Sequence, residues 1–286
     1  MSADRLWTRA REKTVWKREN RDGLDLLFSP LLERQTGLTH AFTTRLGGQT
    51  RDPYKSFNLG RHVDDGDLRS DALANRRRLC QTLSLSFDRL VVPGQVHSRN
   101  VVIVEDLQEE DGSGLDRVDG LTTASRDVPM LLHFADCVPV IVFDPGKGVA
   151  GIFHAGWRGT AQSIVAHGVS IMKERFGCSP GSMVAAVGPA IGSCCYPTGA
   201  DVVRSLEETV EGAGNLIESR AGKQFPDLKA INALQLLASG VGAVDVSDSC
   251  TACNPDVFYS HRQSGGITGR QGALVCVRSE TSNQDF

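Results

Sequence analysis

His97, Cys137 and His154 each stand at the edge of an apolar segment, in GQVHSRNVVIV, HFADCVPVIVF and VAGIFHAGWRG. One thiolate and two imidazoles delivered from separate strand ends suit a Zn2+ ion whose fourth tetrahedral position stays open to water or substrate, the pattern of a catalytic site. The same positions also read as two satisfied strand-edge histidines and a small buried thiol. A third reading makes Cys137 a nucleophile with His154 or His97 as its base. Gly151, Ala155, Gly156 and Gly159 clear room around His154. Gly156 and Gly159 also permit a tight strand-to-helix turn whose N–H groups and positive dipole end can face an anion.

Other candidates are less sharply drawn. Arg45, ahead of the Gly-Gly turn in TRLGGQT, could grip a phosphate or carboxylate through its planar fork, or simply be solvated. GPAIGSCC, residues 188–195, could bring backbone close to a ligand or serve as a plain glycine turn. Cys250 and Cys253 have the spacing of half a structural zinc site or of a redox pair, but no second C-x-x-C completes the former. The adjacent Cys194 and Cys195 are poorly placed to bridge each other and are expected to pack as thiols. His133, in an apolar strand, is core or supports the site, and His167 lies on the polar side of a helix.

The elements that position these residues are short apolar runs, read as strands over 90–92, 101–104, 130–134, 138–143, 149–153, 183–187, 257–259 and 273–277. Helices are expected over 67–83, 160–176, 200–210 and 231–239, with Asp67 and Thr160 as caps. Strands outnumber helices and clean β-α-β alternation is absent from the middle. The expected fold is therefore mixed α/β (α+β), a central β-sheet structure flanked by helices.

Composition bounds the partners. The 286 residues carry a net charge of −3, which argues against nucleic acid as a general partner, since phosphate-driven binding leaves a basic imprint. No apolar run approaches the roughly 20 residues that span a bilayer, and no secretory signal is visible. Eight cysteines are too dilute for a disulfide scaffold, so a cytoplasmic, reducing setting is expected. The six Lys/Arg of the first 20 residues suggest organelle import as the lesser alternative, opposed by Asp4, Glu12 and Glu19.

Taken in chain order, HAFTTRLGG (40–48), SFNLGRHVDD (56–65), QVHS (95–98), DGLTT (119–123), ADCVPV (135–140), HAGWRGT (154–160), GPAIGSCCY (188–196), FYSHR and TGR resemble the laccase-domain family. That family was once called multicopper polyphenol oxidases and is associated with purine nucleoside phosphorylase and adenosine deaminase activities. The resemblance implies one zinc per chain on His97, Cys137 and His154, with Arg45 and Asn58 as substrate contacts. It also implies a mixed α/β fold related to cysteine hydrolases. Ser98, where a glycine usually follows the histidine, and His261, where an aromatic is common, depart from the family pattern. Residues 1–35 precede the clear match and read as an N-terminal extension, with 36–286 as a single catalytic domain.

The activities implied are phosphorolysis of adenosine, inosine, guanosine or methylthioadenosine with phosphate as co-substrate, and deamination of adenosine. Deamination needs a proton shuttle. The residues two after His97 and His154 are Arg99 and Gly156 rather than the glutamate of H-x-E, leaving Asp136 and Asp119 as candidates. Phosphorolysis needs anion grips, for which Arg45 and Arg158 are candidates, although Arg158 could equally stack on an aromatic or tie down its own loop. The competing readings are a Cys-His hydrolase, such as an editor of peptidoglycan precursors, and a non-enzymatic purine- or metal-binding module. A true laccase is not expected, nor copper: no two histidines stand two residues apart, as the H-x-H pairs of a copper cluster require, and nothing marks an axial ligand.

Overall fold

The computed structural model describes residues 15–60, 66–106 and 115–279. Residues 1–14 of the expected extension, His62 and the capping side chain of Asp67 lie outside what is described. In chain order the elements are β1 (Lys17–Arg21), β2 (Leu24–Phe28), α1 (Pro30–Glu33), β3 (Leu38–Thr43), α2 (Gly66–Thr82), β4 (Val101–Ile103), β5 (Gly120–Thr123) and β6 (Met130–Phe134). They continue with β7 (Val138–Asp144), β8 (Val149–Ala155), α3 (Trp157–Ala161), α4 (Ile164–Phe176), β9 (Val184–Val187), α5 (Ala200–Glu207), β10 (Ile217–Arg220), β11 (Lys223–Pro226), α6 (Leu228–Ala238), β12 (Ala243–Val246) and β13 (Gln271–Val277).

Two sheets dominate. The first, in the order β1-β2-β3-β13-β6, is antiparallel throughout. The second, in the order β12-β9-β7-β8-β5-β4, is mixed, with parallel pairs at its two edges. Its middle strands VPVIVFD and VAGIFHA are buried along their whole length, which is why they read as continuous apolar runs rather than alternating ones. Alternation still sorts their side chains. Val138, Val140, Val142 and Phe153 face α4 and α6, whereas Ile141, Phe143, Ala150 and Ile152 face Leu132, Phe134 and Val275 of the first sheet. The far side of the first sheet, Leu24, Leu26, Leu131 and Leu274, packs on Leu79 and Cys80 of α2. The result is four layers, helix on sheet on sheet on helix, and the expected mixed α/β class with strands in the majority holds.

Phe153 shows how tightly the sheet and α4 meet. A Cβ at Gly168 of α4 would lie 2.2 Å from its ring, and one at Gly120 or Gly151 would lie 2.8 or 2.7 Å from it. Glycine inside a helix costs about 1 kcal/mol relative to alanine. Full burial of a phenylalanine, worth roughly 1.5–3 kcal/mol, offsets that cost here.

Several expectations are corrected. Within the expected N-terminal extension, β1 and β2 extend the first sheet outward from β3, with Leu24, Leu26 and Phe28 in the core. Residues 257–259 form no strand; their apolar character goes with the burial of Phe258 and Tyr259. Residues 90–92 contribute one isolated bridge, Val91 to Met130. The helix expected over 160–176 breaks at Ser163, whose φ of 55° is left-handed, into α3 and α4. Thr160 lies inside α3 and caps nothing; its hydroxyl accepts from Asn232 Nδ2 at 2.9 Å. Among the described residues no helix is long and apolar enough to cross a membrane.

Candidate metal centre

Strand register brings the three expected ligands together. In the β7–β8 ladder Val138 opposes Ala155, so Cys137, one residue earlier, faces Gly156. In the β5–β8 ladder Gly120 opposes Phe153, so Asp119 faces His154. His97 arrives from the loop before β4, which pairs with β5. The ligand atoms of His97, Cys137 and His154 all lie within 4.8 Å of one another, and the two imidazole centroids are 4.9 Å apart.

Asp119 organises this end of the sheet. It is fully buried, and its Oδ1 accepts from His154 Nδ1 at 2.8 Å and from the His97 amide at 3.0 Å. Oδ2 accepts from the amides of Val96 and Ser98 at 3.2 and 2.7 Å and from Ser98 Oγ at 2.7 Å. Three consecutive amides on one carboxylate hold His97 at φ 63°, a left-handed conformation that is costly for a residue with a Cβ. Burial would raise the Asp119 carboxyl, but the His154 and Ser98 hydrogen bonds hold it down at about 2. Ser98, the departure from the family pattern, thus supplies a hydroxyl to the clamp. The carboxylate also fixes a proton on Nδ1 of His154, leaving Nε2 as the ligand atom, the usual outer partner of a metal-bound histidine.

A zinc-type ion fits these residues. The donor set is soft sulfur plus two imidazole nitrogens. A Cβ at Gly156 would stand 2.9 Å from Cys137 Sγ and 3.0 Å from His97 Cδ2, so the missing side chain keeps the cradle clear. Burial opposes ionisation of the Cys137 thiol, yet the adjoining His154 and His97 rings outweigh it and lower its pKa. Against its own burial, His154 is raised by Cys137 and Asp119. The thiolate that a metal needs is therefore already favoured.

The triad opens into a cavity of about 610 Å3, within the range of small-molecule sites. Asn58 and Arg158 line it. Asn58 Oδ1 is used by the amides of Gly60 and Arg270 at 3.0 and 2.8 Å, and its Nδ2 has no partner among the described residues. Arg158 is exposed, with its guanidinium 4.3 Å above the Trp157 ring. Trp157 itself packs on the core as the anchor of the loop.

Arg45 is not in the cavity wall. Its guanidinium donates to the carbonyls of Lys55 at 2.9 Å and Pro255 at 2.8 Å and lies 4.8 Å above the Tyr259 ring, so it staples two loops together. Asp136 does line the cavity, at φ 89°, but its two oxygens accept from Thr251 Oγ1 and from the Arg262 amide, both at 2.7 Å. Asp119, the other shuttle candidate, is absent from the lining.

Tyr196, Arg262 and Arg270 also line the cavity and were missed as site residues. They fall in the segments GPAIGSCCY, FYSHR and TGR, whose presence marked the family but whose spacing says nothing about where the chain turns back. Asp136 is the single carboxylate among the described lining residues, against Arg158, Arg262 and Arg270.

Purine nucleoside phosphorylase YlmD of Geobacillus stearothermophilus is 40% identical over 253 residues, covering 85% of this chain and 92% of that protein. The Bacillus subtilis protein of the same name is 35% identical, covering 83% and 87%. The crystal structure of YlmD from G. stearothermophilus superposes with a TM-score of 0.83 at 38% identity, over 93% of this chain and 99% of that one. Neisseria meningitidis protein NMB0706 gives 0.77 at 28% identity, over 90% and 100%. With residues 39–278 matching its family model, the chain belongs to the family described as multi-copper polyphenol oxidoreductase laccase.

Proposed function

We propose that this protein is a zinc-dependent purine nucleoside enzyme. It would cleave adenosine, inosine, guanosine or methylthioadenosine with phosphate to the free base and ribose 1-phosphate, and would deaminate adenosine. The observation that carries this reading is a His-Cys-His donor set opening into a cavity whose charged wall is three arginines to one aspartate. The names of the YlmD relatives support the nucleoside class.

A zinc ion held by His97, Cys137 and His154 would supply Lewis acidity at that end of the cavity. Phosphorolysis builds positive charge on the ribose while an anion attacks, so fixed cations must hold the phosphate against it. Arg158 lines the cavity with no carboxylate partner among the described residues, and it is assigned to the phosphate. Asn58 Nδ2 donates to the nucleoside. Tyr196, whose phenol is pushed up to about 12 by burial and by Cys137, keeps its proton and serves as a neutral donor. For deamination, Asp136 is the proton acceptor, through lone pairs left after its bonds to Thr251 and Arg262.

Copper oxidase chemistry lies outside the proposal, because a lone cysteine with two separated histidines lacks the paired motifs of a copper cluster. A second reading, a cysteine hydrolase with Cys137 as nucleophile and a kinship to that superfamily, draws on the lowered Cys137 thiol beside two imidazoles. The proposal places the enzyme in the cytoplasm, where its thiols stay reduced.

The test incubates zinc-loaded protein with adenosine, with and without phosphate, and follows adenine, inosine, hypoxanthine and ribose 1-phosphate. Adenine release that requires phosphate, and inosine formation that does not, are expected. No product from zinc-loaded protein would overturn the reading in favour of a binding module. Full activity in metal-free protein would favour the thiolate hydrolase.

A further inference from the structure

The four cysteines that fell outside the function converge on one point. Cys194 and Cys195 sit in the turn after β9, and Cys250 and Cys253 in the turn after β12. Those strands are parallel neighbours, with Val187 opposite Val246, so both turns leave the same end of the sheet. The pairing persists beyond them through an Ala190–Cys250 bridge and a Thr251 amide on the Ala190 carbonyl at 3.1 Å. All four sulfur atoms lie within 4.8 Å of one another. C-x-x-C therefore finds its second pair in C-C, a combination no linear motif announces.

We propose that Cys194, Cys195, Cys250 and Cys253 form a second, structural metal site, a tetrathiolate centre for Zn2+. A tetrahedral ion with Zn–S bonds of about 2.3 Å places its sulfur ligands about 3.8 Å apart. Cys253 Sγ stands 3.5 Å from Cys194 and 3.4 Å from Cys195, close to that spacing and equally near both. A disulfide would join Cys253 to only one of its two near neighbours, whereas one central ion takes all four sulfurs at once. The Gly192 amide points at Cys250 Sγ at 3.2 Å, the outer hydrogen bond a metal thiolate accepts.

Charge compensation is in place as well. Zn2+ with four thiolates carries a net −2. The buried Lys229 is fixed on the carbonyls of Ser247 and Ser249, at 2.7 and 2.9 Å, just before Cys250. Arg220 is fixed on the carbonyl of Ser193, just before Cys194. Cys194 and Cys253 are exposed, which gives an ion a path in.

The site anchors the wall of the catalytic cavity without entering it. The turn it holds carries Ile191 and Tyr196, and Thr251, next to Cys250, bonds Asp136 beside Cys137. The proposal is independent of the reaction assigned above.

The test measures bound metal by elemental analysis in protein purified with zinc and a reductant, for the native chain, Cys137→Ala and Cys194→Ser/Cys253→Ser. Two zinc ions per native chain and one in each variant are expected. Co2+ in Cys137→Ala should give the intense thiolate charge-transfer and tetrahedral d–d bands of an all-sulfur site. That measurement leaves the cluster intact and stands even if the serine variant fails to fold. No metal in Cys137→Ala, or a Cys194–Cys253 or Cys195–Cys253 disulfide found by mass spectrometry in the reduced native protein, would overturn the proposal. Activity is not part of the readout, so failure of the nucleoside assignment leaves this result interpretable.

Discussion

Replacing Asp119 with asparagine tests the organisation of the metal centre. Asparagine keeps the shape of the side chain but turns one accepting oxygen into an NH2 group. With the NH2 at the Oδ2 position it would confront the amides of Val96 and Ser98, two part-buried donors left without that partner. With the NH2 at Oδ1 it would confront the His97 amide and His154 Nδ1. His154 can relieve half of that conflict by moving its proton to Nε2, so the second orientation is the cheaper. One stranded amide costs about 1–3 kcal/mol of folding stability. The tautomer change costs more in function, because Nε2–H is no longer a ligand. Loss of such an outer partner typically lowers metal affinity 10–100-fold, and the protonated ligand atom puts this variant at the upper end of that range. Chelator competition gives the zinc affinity, and denaturant unfolding of metal-free protein gives the stability. Asp119→Asn protein that binds zinc within about threefold of native would refute the tautomer argument, whatever its stability.

Three further outcomes follow from the same geometry. Arg158→Ala should raise the KM for phosphate roughly tenfold or more, the loss of a charge-assisted hydrogen bond of about 1.5–3 kcal/mol, with zinc content and Tm unchanged; an unaltered KM would remove Arg158 from the phosphate site. Arg45→Ala should do the opposite, lowering stability by about 1–3 kcal/mol through lost bonds to Lys55 and Pro255 and leaving KM alone; a KM effect without destabilisation would return Arg45 to the substrate. His40 is buried between Phe28 and Phe42, its Nε2 accepts the Ser29 amide at 3.0 Å, and burial with Arg21 nearby lowers its pKa to about 3. Its folded pKa lies below the unfolded value near 6.5, so its contribution is complete above pH 6.5 and is lost as pH falls toward 3. Its share of the stability slope approaches about 1.4 kcal/mol per pH unit in that window. His40→Gln, which keeps an acceptor for Ser29, should flatten the acid limb of a Tm-against-pH curve, and an unchanged limb would refute the assignment.

Much of the molecule was legible in the linear order of residues. Fully buried central strands such as β7 and β8 are long apolar runs, and Cys137 and His154 stand out at the ends that meet. The glycines around His154 marked a place where side chains must stay out, and Gly156 proved to face Cys137 and His97. Less was legible where burial came from a distant partner. Val257 to Tyr259 is as apolar as a strand, and β1 to β3 lie partly ahead of the segment that resembles the family.

By itself, then, the sequence determined the mixed α/β class and the donor types on offer at residues 97, 137 and 154, because these follow from residue chemistry and local periodicity. Tertiary structure decided which distant residues share a surface. Asp119 reaches His154 and the amides of residues 96–98 because β5 pairs with β8 in one register, and a one-residue shift would have turned it to the other face. Arg45 lies outside the cavity wall, its guanidinium on the Lys55 and Pro255 carbonyls, while Arg262 and Arg270, more than 100 residues past His154, line it. Cys194 and Cys195 met Cys250 and Cys253 because β9 and β12 run parallel side by side, an adjacency set by strand pairing and not by any spacing along the chain.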